Sequence, residues 1–111
     1  MIQLKSPREL AYQILFDFER SRSRIDILES KYLSKVEFSA QDRRFIKQLI
    51  SGSIRYLLYL DWIIGQLYHG KLSKLLDKTK TLLRLALYEI IYMDSIPARA
   101  TVNEYVSLTK K

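Results

Sequence analysis

Basic, polar and aromatic side chains recur every three or four residues in the middle of the chain. The series consists of Arg44, Gln48, Ser51, Arg55, Tyr59 and Trp62, with Lys47 beside it. In a helix this spacing places them along one face. Basic side chains can hold phosphates, and aromatic rings can stack on unpaired bases. The spacing therefore predicts an RNA-binding face. The alternative is a solvated surface with half-buried tyrosines between helices.

A second series follows at the same spacing and contains Asp77, Lys80, Arg84 and Tyr88. The whole chain has 19 Lys and Arg residues against 12 Asp and Glu residues, which gives a formal net charge of +7. Such an excess favours polyanionic partners, although it also keeps proteins soluble. Because the cations concentrate within 39–59 and 71–84, the charge indicates a basic surface shared by the two series.

Groups that could catalyse a reaction or hold a metal are nearly absent from the sequence. The chain has no cysteine, and its one histidine, His69, lies at a predicted helix end. The three glycines, Gly52, Gly65 and Gly70, form no phosphate-binding loop. We therefore expect no catalytic residue, no metal site and no cofactor in this chain.

The elements that position these residues are predicted to be helices. Glycine and proline are scarce, with three and two residues, whereas a β-rich domain would need them in many turns. Ser6 can cap a first helix that begins at Pro7, and Ser39 can cap a later one. That later helix continues as one long helix or as two, bent near Tyr59–Asp61.

The stretch Leu82–Met93 is apolar around most of its circumference, which is typical of a central helix. Gly52 lies inside a helical pattern, where it costs about 1 kcal/mol relative to alanine. The usual compensation is the close approach of another helix. These patterns predict an all-α bundle of about five to seven helices.

The length of 111 residues fits a single domain, 1–111. The start of the chain lacks the basic and apolar regions of a signal peptide. The longest run without a charged residue is far too short to cross a bilayer. We therefore expect a soluble cytoplasmic protein.

Five segments, in order, resemble the NusB-like family. They are Arg8–Leu15, Ser39–Phe45 with Leu49–Ile54, Leu60–Ile64, Leu82–Ile90, and Asp94–Pro97 with Val102–Val106. The resemblance extends from Arg8 to Lys110 and implies the family's helical fold. The family comprises the transcription antitermination factor NusB and the N-terminal domains of ribosomal RNA cytosine methyltransferases of the Sun/RsmB type.

The segment Ser39–Arg44 is more similar to the methyltransferase domain than to free NusB. Free NusB opens with an arginine-rich stretch that holds boxA RNA, and Lys5 and Arg8 stand in that region here. The family usually adds one more helix after the one containing Val102–Val106. The resemblance thus implies that this chain is a fragment of a longer protein.

These inferences predict RNA binding, as the N-terminal substrate-positioning domain of a ribosomal RNA (cytosine) methyltransferase. The predicted RNA-binding residues are Lys5, Arg8, Arg44, Lys47, Arg55, Lys80 and Arg84. One alternative is an antitermination factor that binds RNA together with a ribosomal protein. Another is a protein-interaction module without RNA binding. A homodimer is also expected, because apolar surface on the last helix would otherwise lack a cover.

Overall fold

The computed structural model describes residues 6–68, 70 and 75–110, and these residues form helices without any strand. The helices are α1 (Pro7–Arg20), α2 (Ile25–Leu33), α3 (Ala40–Arg55), α4 (Leu57–Leu67), α5 (Asp77–Tyr92) and α6 (Ala98–Thr109). The predicted all-α bundle is therefore confirmed. No helix within these described ranges is long and apolar enough to cross a membrane.

Two helices begin where serine was predicted to cap them. The Ser6 hydroxyl accepts a hydrogen bond of 3.1 Å from the Glu9 amide, and Pro7 is the first residue of α1. The Ser39 hydroxyl accepts an equivalent bond of 3.1 Å from the Asp42 amide. In each case the side chain satisfies an amide that has no partner within the helix.

The long central pattern forms two helices, α3 and α4, which meet at Tyr56. The backbone of Tyr56 has φ −105° and ψ 22°, outside the helical range, so the predicted bend near Tyr59–Asp61 was placed too late. The Tyr56 ring stacks on Tyr92 of α5 at this junction. Helix α5 begins at Asp77, five residues before the predicted start of its apolar stretch.

Helix α5 lies in the middle of the bundle and packs against α1, α3, α4 and α6. Leu82 and Leu85 are buried on it, as expected for a central helix. However, Leu83 and Ile90 remain 37% and 39% exposed along a flank beside α6. The central position is thus confirmed, although α5 is not enclosed on every side.

Gly52 allows α3 and α5 to approach closely. A Cβ atom added at this glycine would lie 2.1 Å from Cε1 and Cζ of Tyr88 and 2.4 Å from its hydroxyl. Tyr88 is buried and stacks on Tyr92, so its ring has little room to move. The close helix contact that compensates for a glycine inside a helix is therefore present.

Replacing Gly52 with alanine is expected to destabilise the protein by up to about 2 kcal/mol. Alanine gains about 1 kcal/mol in helix propensity, but overpacking a tight site typically costs more, about 1–3 kcal/mol. Urea denaturation followed by circular dichroism measures the difference. Gly65→Ala is the matched control, because nothing lies within 4 Å of a Cβ there, and it should stabilise by about 1 kcal/mol. A stabilised Gly52→Ala variant would contradict the tight contact.

Candidate nucleic-acid interface

The outer face of α3 presents the first predicted series to solvent as far as Arg55, whereas Tyr59 and Trp62 lie on α4, beyond the break at Tyr56. Ile46, Leu49 and Ile50 anchor the opposite face of α3 in the core, so the helix cannot rotate without exposing them. The side chains left outside are Arg44, Lys47, Gln48, Ser51 and Arg55. None of the ion pairs between described residues includes Arg44, Lys47 or Arg55. Arg44 and Arg55 therefore remain available to an anionic partner, whereas Lys47 interacts with Glu29 of α2.

A cleft of about 480 Å³ separates this face from α5, and three tyrosines contribute to its walls. It is lined by Gln48, Ser51, Gly52, Arg55, Tyr56, Tyr88 and Tyr92, and we call it the aromatic cleft. The ring centroids of Tyr56 and Tyr92 are 4.4 Å apart, with an angle of 12° between the planes. Those of Tyr88 and Tyr92 are 5.2 Å apart. The three rings thus form one stacked group at the junction of α3, α4 and α5.

The aromatic surface continues onto α4 through Tyr59 and Trp62. Their rings stack with centroids 6.3 Å apart, and both side chains are about half exposed. Burial raises the pKa of Tyr92, and the neighbouring Tyr56 and Tyr59 raise it further. The Tyr92 hydroxyl therefore stays protonated and uncharged at neutral pH, so it does not repel a phosphate.

Lys80 and Arg84 lie in a different cleft, between α1 and α5. This α1–α5 cleft has a volume of about 420 Å³ and is lined by Phe16, Glu19, Arg20, Asp77, Lys80, Thr81 and Arg84. The Arg84 guanidinium donates bonds of 2.7 and 2.9 Å to the two carboxylate oxygens of Asp61 and a further bond to Glu19. The Lys80 ammonium lies 3.6 Å from an Asp77 carboxylate oxygen.

The carboxylates fix Arg84 as a structural cation. Burial alone would lower the pKa of Arg84, but the hydrogen bonds and charges of Asp61 and Glu19 outweigh it and raise the pKa. Two negative charges already balance this guanidinium. The structure therefore does not join Lys80 and Arg84 to the α3 face, and of the second series only Tyr88 reaches the aromatic cleft.

Arg8 is held by a buried carboxylate. Its guanidinium donates a bond of 2.8 Å from Nη2 to Glu89 Oε1 and bonds from Nε to both oxygens, while Thr101 donates a bond of 3.2 Å to the same carboxylate. The Arg8 side chain is 18% exposed and Glu89 is fully buried. Burial lowers the pKa of Arg8, but Glu89 more than compensates and raises it. Arg8 thus ties α1 to α5 and α6.

The remaining predicted cations have different surroundings. Lys47 lines a groove between α2 and α3 together with Asp26, Glu29 and Arg43, so it lies at the acidic border of the α3 face. Lys5 and His69 lie outside the described residues. Within the described parts of the chain no three acidic or histidine side chains are placed to hold a metal ion.

Two tyrosines of the aromatic cleft, Tyr56 and Tyr92, were absent from the predicted series. Tyr92 lies four residues after Tyr88, so extending that series by one helical turn would have included it. Tyr56 carries no such signal, because it belongs to the junction between two helices.

A second exposed feature is an apolar groove between α5 and α6. Leu83 and Ile90 of α5 face Val102 and Val106 of α6 across it, and the two valines are 46% and 47% exposed. Four partly exposed aliphatic side chains in one groove form a surface that another apolar surface could cover.

Comparison with known proteins places the chain among relatives of two kinds. A model of the NusB family matches residues 5–111. The chain is 37% identical over 105 residues to "Probable ribosomal RNA small subunit methyltransferase B" of Synechocystis sp., which covers 95% of this chain and 24% of that protein. It is 33% identical over 108 residues to "Transcription antitermination protein NusB" of Bacillus velezensis, and spans 80% of it. The corresponding protein of Exiguobacterium sp. is 31% identical over 107 residues.

Proposed function

Because the chain belongs to the NusB family, we propose that it binds RNA as the N-terminal substrate-positioning domain of a ribosomal RNA (cytosine) methyltransferase. The observation that carries the proposal is the α3 face, where Arg44 and Arg55 form no ion pair with another described residue and Arg55 lines a cleft of stacked tyrosines. The similarity to a ribosomal RNA methyltransferase over 95% of this chain supports the proposal that the chain is a domain of such an enzyme. Cytosine is the target implied by the resemblance to the Sun/RsmB type.

In this proposal the chain contributes RNA binding in the cytoplasm and no catalysis or cofactor. Arg44 and Arg55 contact phosphates, and each contact releases counterions from the RNA. Lys47 contributes less, because Glu29 lies close to it. Methyl transfer belongs to a part of the relative that this chain does not match, since the chain spans only 24% of that protein.

The double variant Arg44→Gln/Arg55→Gln is expected to weaken binding of a single-stranded RNA at least tenfold at low salt. Each lost phosphate contact should also reduce the slope of log affinity against log salt concentration by about 0.7. Fluorescence anisotropy titrations at salt concentrations from about 50 to about 200 mM measure both the affinity and its salt slope. Arg22→Gln/Arg99→Gln removes the same charge from exposed positions elsewhere and should change the affinity little.

Two results would count against this function. An equal loss in the control variant would mean that only total charge matters. Absence of binding at low salt would favour the third possibility, a protein-interaction module.

The alternative function is that of an antitermination factor that binds RNA together with a ribosomal protein. The match to 80% of the Bacillus velezensis antitermination protein favours it. A boxA RNA should then bind more tightly than an unrelated RNA of equal length, and a ribosomal protein should enhance its binding. Under the methyltransferase proposal the boxA RNA has no such advantage.

The apolar groove between α5 and α6 supports association with a second copy of the chain. We expect light scattering at high protein concentration to give the mass of a dimer, because pairing two such grooves would bury Leu83, Ile90, Val102 and Val106. Val106→Lys places a charge in the groove and should shift the equilibrium towards monomer. A strict monomer at high concentration would contradict the homodimer.

A further inference from the structure

The aromatic cleft contains tyrosine rings that phosphate binding alone does not require. Phosphate contact by Arg44 and Arg55 requires no tyrosines, yet three rings stack in the cleft that Arg55 lines. The rings come from the α3–α4 junction and from α5, so their mutual position is fixed by the packing of those helices. A rigid aromatic group binds at a low entropic cost, because little side-chain freedom remains to be lost.

We propose that the aromatic cleft is a subsite for one unpaired base of a single-stranded RNA. The base stacks on the Tyr56–Tyr92 pair, Arg55 contacts the adjoining phosphate, and the Gln48 amide bonds to the base edge. This subsite rests on the proposed RNA-binding function and specifies where on the chain it recognises a nucleotide.

The lining chemistry distinguishes this cleft from the α1–α5 cleft. Among its described lining residues are one cation and no carboxylate, whereas Glu19 and Asp77 line the α1–α5 cleft. The cations of the α1–α5 cleft are already paired with carboxylates, so a phosphate would have to compete for them, whereas Arg55 forms no ion pair with another described residue. The volume of about 480 Å³ lies within the range of pockets for small molecules. The aromatic cleft is therefore the better site for a nucleotide.

Gly52 contributes to the depth of this subsite. Because no Cβ is present there, Tyr88 packs directly on α3, and both residues line the cleft. Gln48, one turn before Gly52, and Ser51, its immediate neighbour, are both exposed, so an amide and a hydroxyl can meet a base edge. A base within a duplex cannot enter such a cleft, since its faces are already stacked and its edge paired.

The test measures binding of fluorescein-labelled ten-nucleotide oligouridine and oligoadenine to the whole chain and to variants. Tyr92→Leu should lower the affinity about 5- to 100-fold, the usual effect of removing a stacking partner, without changing the salt slope. Tyr92→Phe keeps the ring and should bind nearly as well. Tyr12→Leu, a tyrosine on α1 that contacts Phe16, is the matched control and should bind like the parent chain.

The outcomes separate the subsite from the proposed function. If the parent chain binds RNA with a steep salt slope and Tyr92→Leu retains that affinity, only the subsite is overturned. An equal loss in Tyr12→Leu, or equal Tyr92 dependence for duplex RNA, also overturns it. If the parent chain binds no RNA at low salt, both proposals fall.

A second measurement covers the case in which Tyr92→Leu does not fold. Oligouridine that contains 5-bromouridine is cross-linked to the unmodified chain by light, and mass spectrometry identifies the modified residue. Adducts at Tyr56 or Tyr92 support the subsite. Adducts confined to residues outside the aromatic cleft overturn it.

Discussion

Arg8→Ala is expected to lower the free energy of unfolding by about 3–5 kcal/mol, the range for breaking a buried ion pair by removing one partner. Without the guanidinium, the fully buried Glu89 carboxylate keeps neutral hydroxyl partners such as Thr101 but loses the cation that pairs with it. A buried charge without a counter-ion is costly, because it has lost its hydration shell. Guanidinium chloride denaturation of both proteins, monitored by circular dichroism, measures the loss.

Arg44→Ala is the matched control for this prediction. Arg44 is exposed on α3, so its loss should change stability by no more than about 0.5 kcal/mol while weakening RNA binding. Arg8→Ala should lower the stability but leave RNA binding nearly unchanged, when binding is measured under conditions where the variant stays folded. An Arg8→Ala protein of unchanged stability and reduced RNA affinity would instead make Arg8 the RNA contact predicted from the sequence.

The contrast between Arg8 and Arg44 shows what the sequence could predict about the site. Spacing along one helix is local, so the exposed α3 face with Arg44 and Arg55 was predictable. The partners of Arg8 and Arg84 are not local: Glu89 lies 81 residues from Arg8, and Asp61 lies 23 residues from Arg84. Sequence spacing alone could not separate these structural cations from the exposed ones.

The distinction between local patterns and contacts that are distant in sequence also applies to the fold. The starts of α1 and α3 were predictable because Ser6 and Ser39 bond to amides three residues away. The break between α3 and α4 was misplaced because it coincides with a tertiary contact, the stacking of Tyr56 on Tyr92. The second series, at helical spacing, begins at Asp77, the residue at which α5 begins, although the apolar stretch starts only at Leu82.

Leu85→Ala should lower the free energy of unfolding by about 2–5 kcal/mol, the range for truncating a fully buried leucine. Leu85 has no exposed surface and lies on α5, which packs against four other helices. The deleted atoms would leave a cavity that the surrounding helices can fill only in part. Equilibrium urea denaturation at low protein concentration, where association through the α5–α6 groove is weak, gives the value.

Leu83→Ala makes the same chemical change two residues earlier on α5, where the side chain is 37% exposed beside the groove. We expect it to cost less than about 1 kcal/mol, since water already reaches much of the deleted surface. At high protein concentration the Leu83→Ala cost should grow if a second copy covers the groove, because dimer formation adds to the stability of the folded state. A Leu85→Ala loss below about 1 kcal/mol would contradict the central position of α5, whatever the state of association.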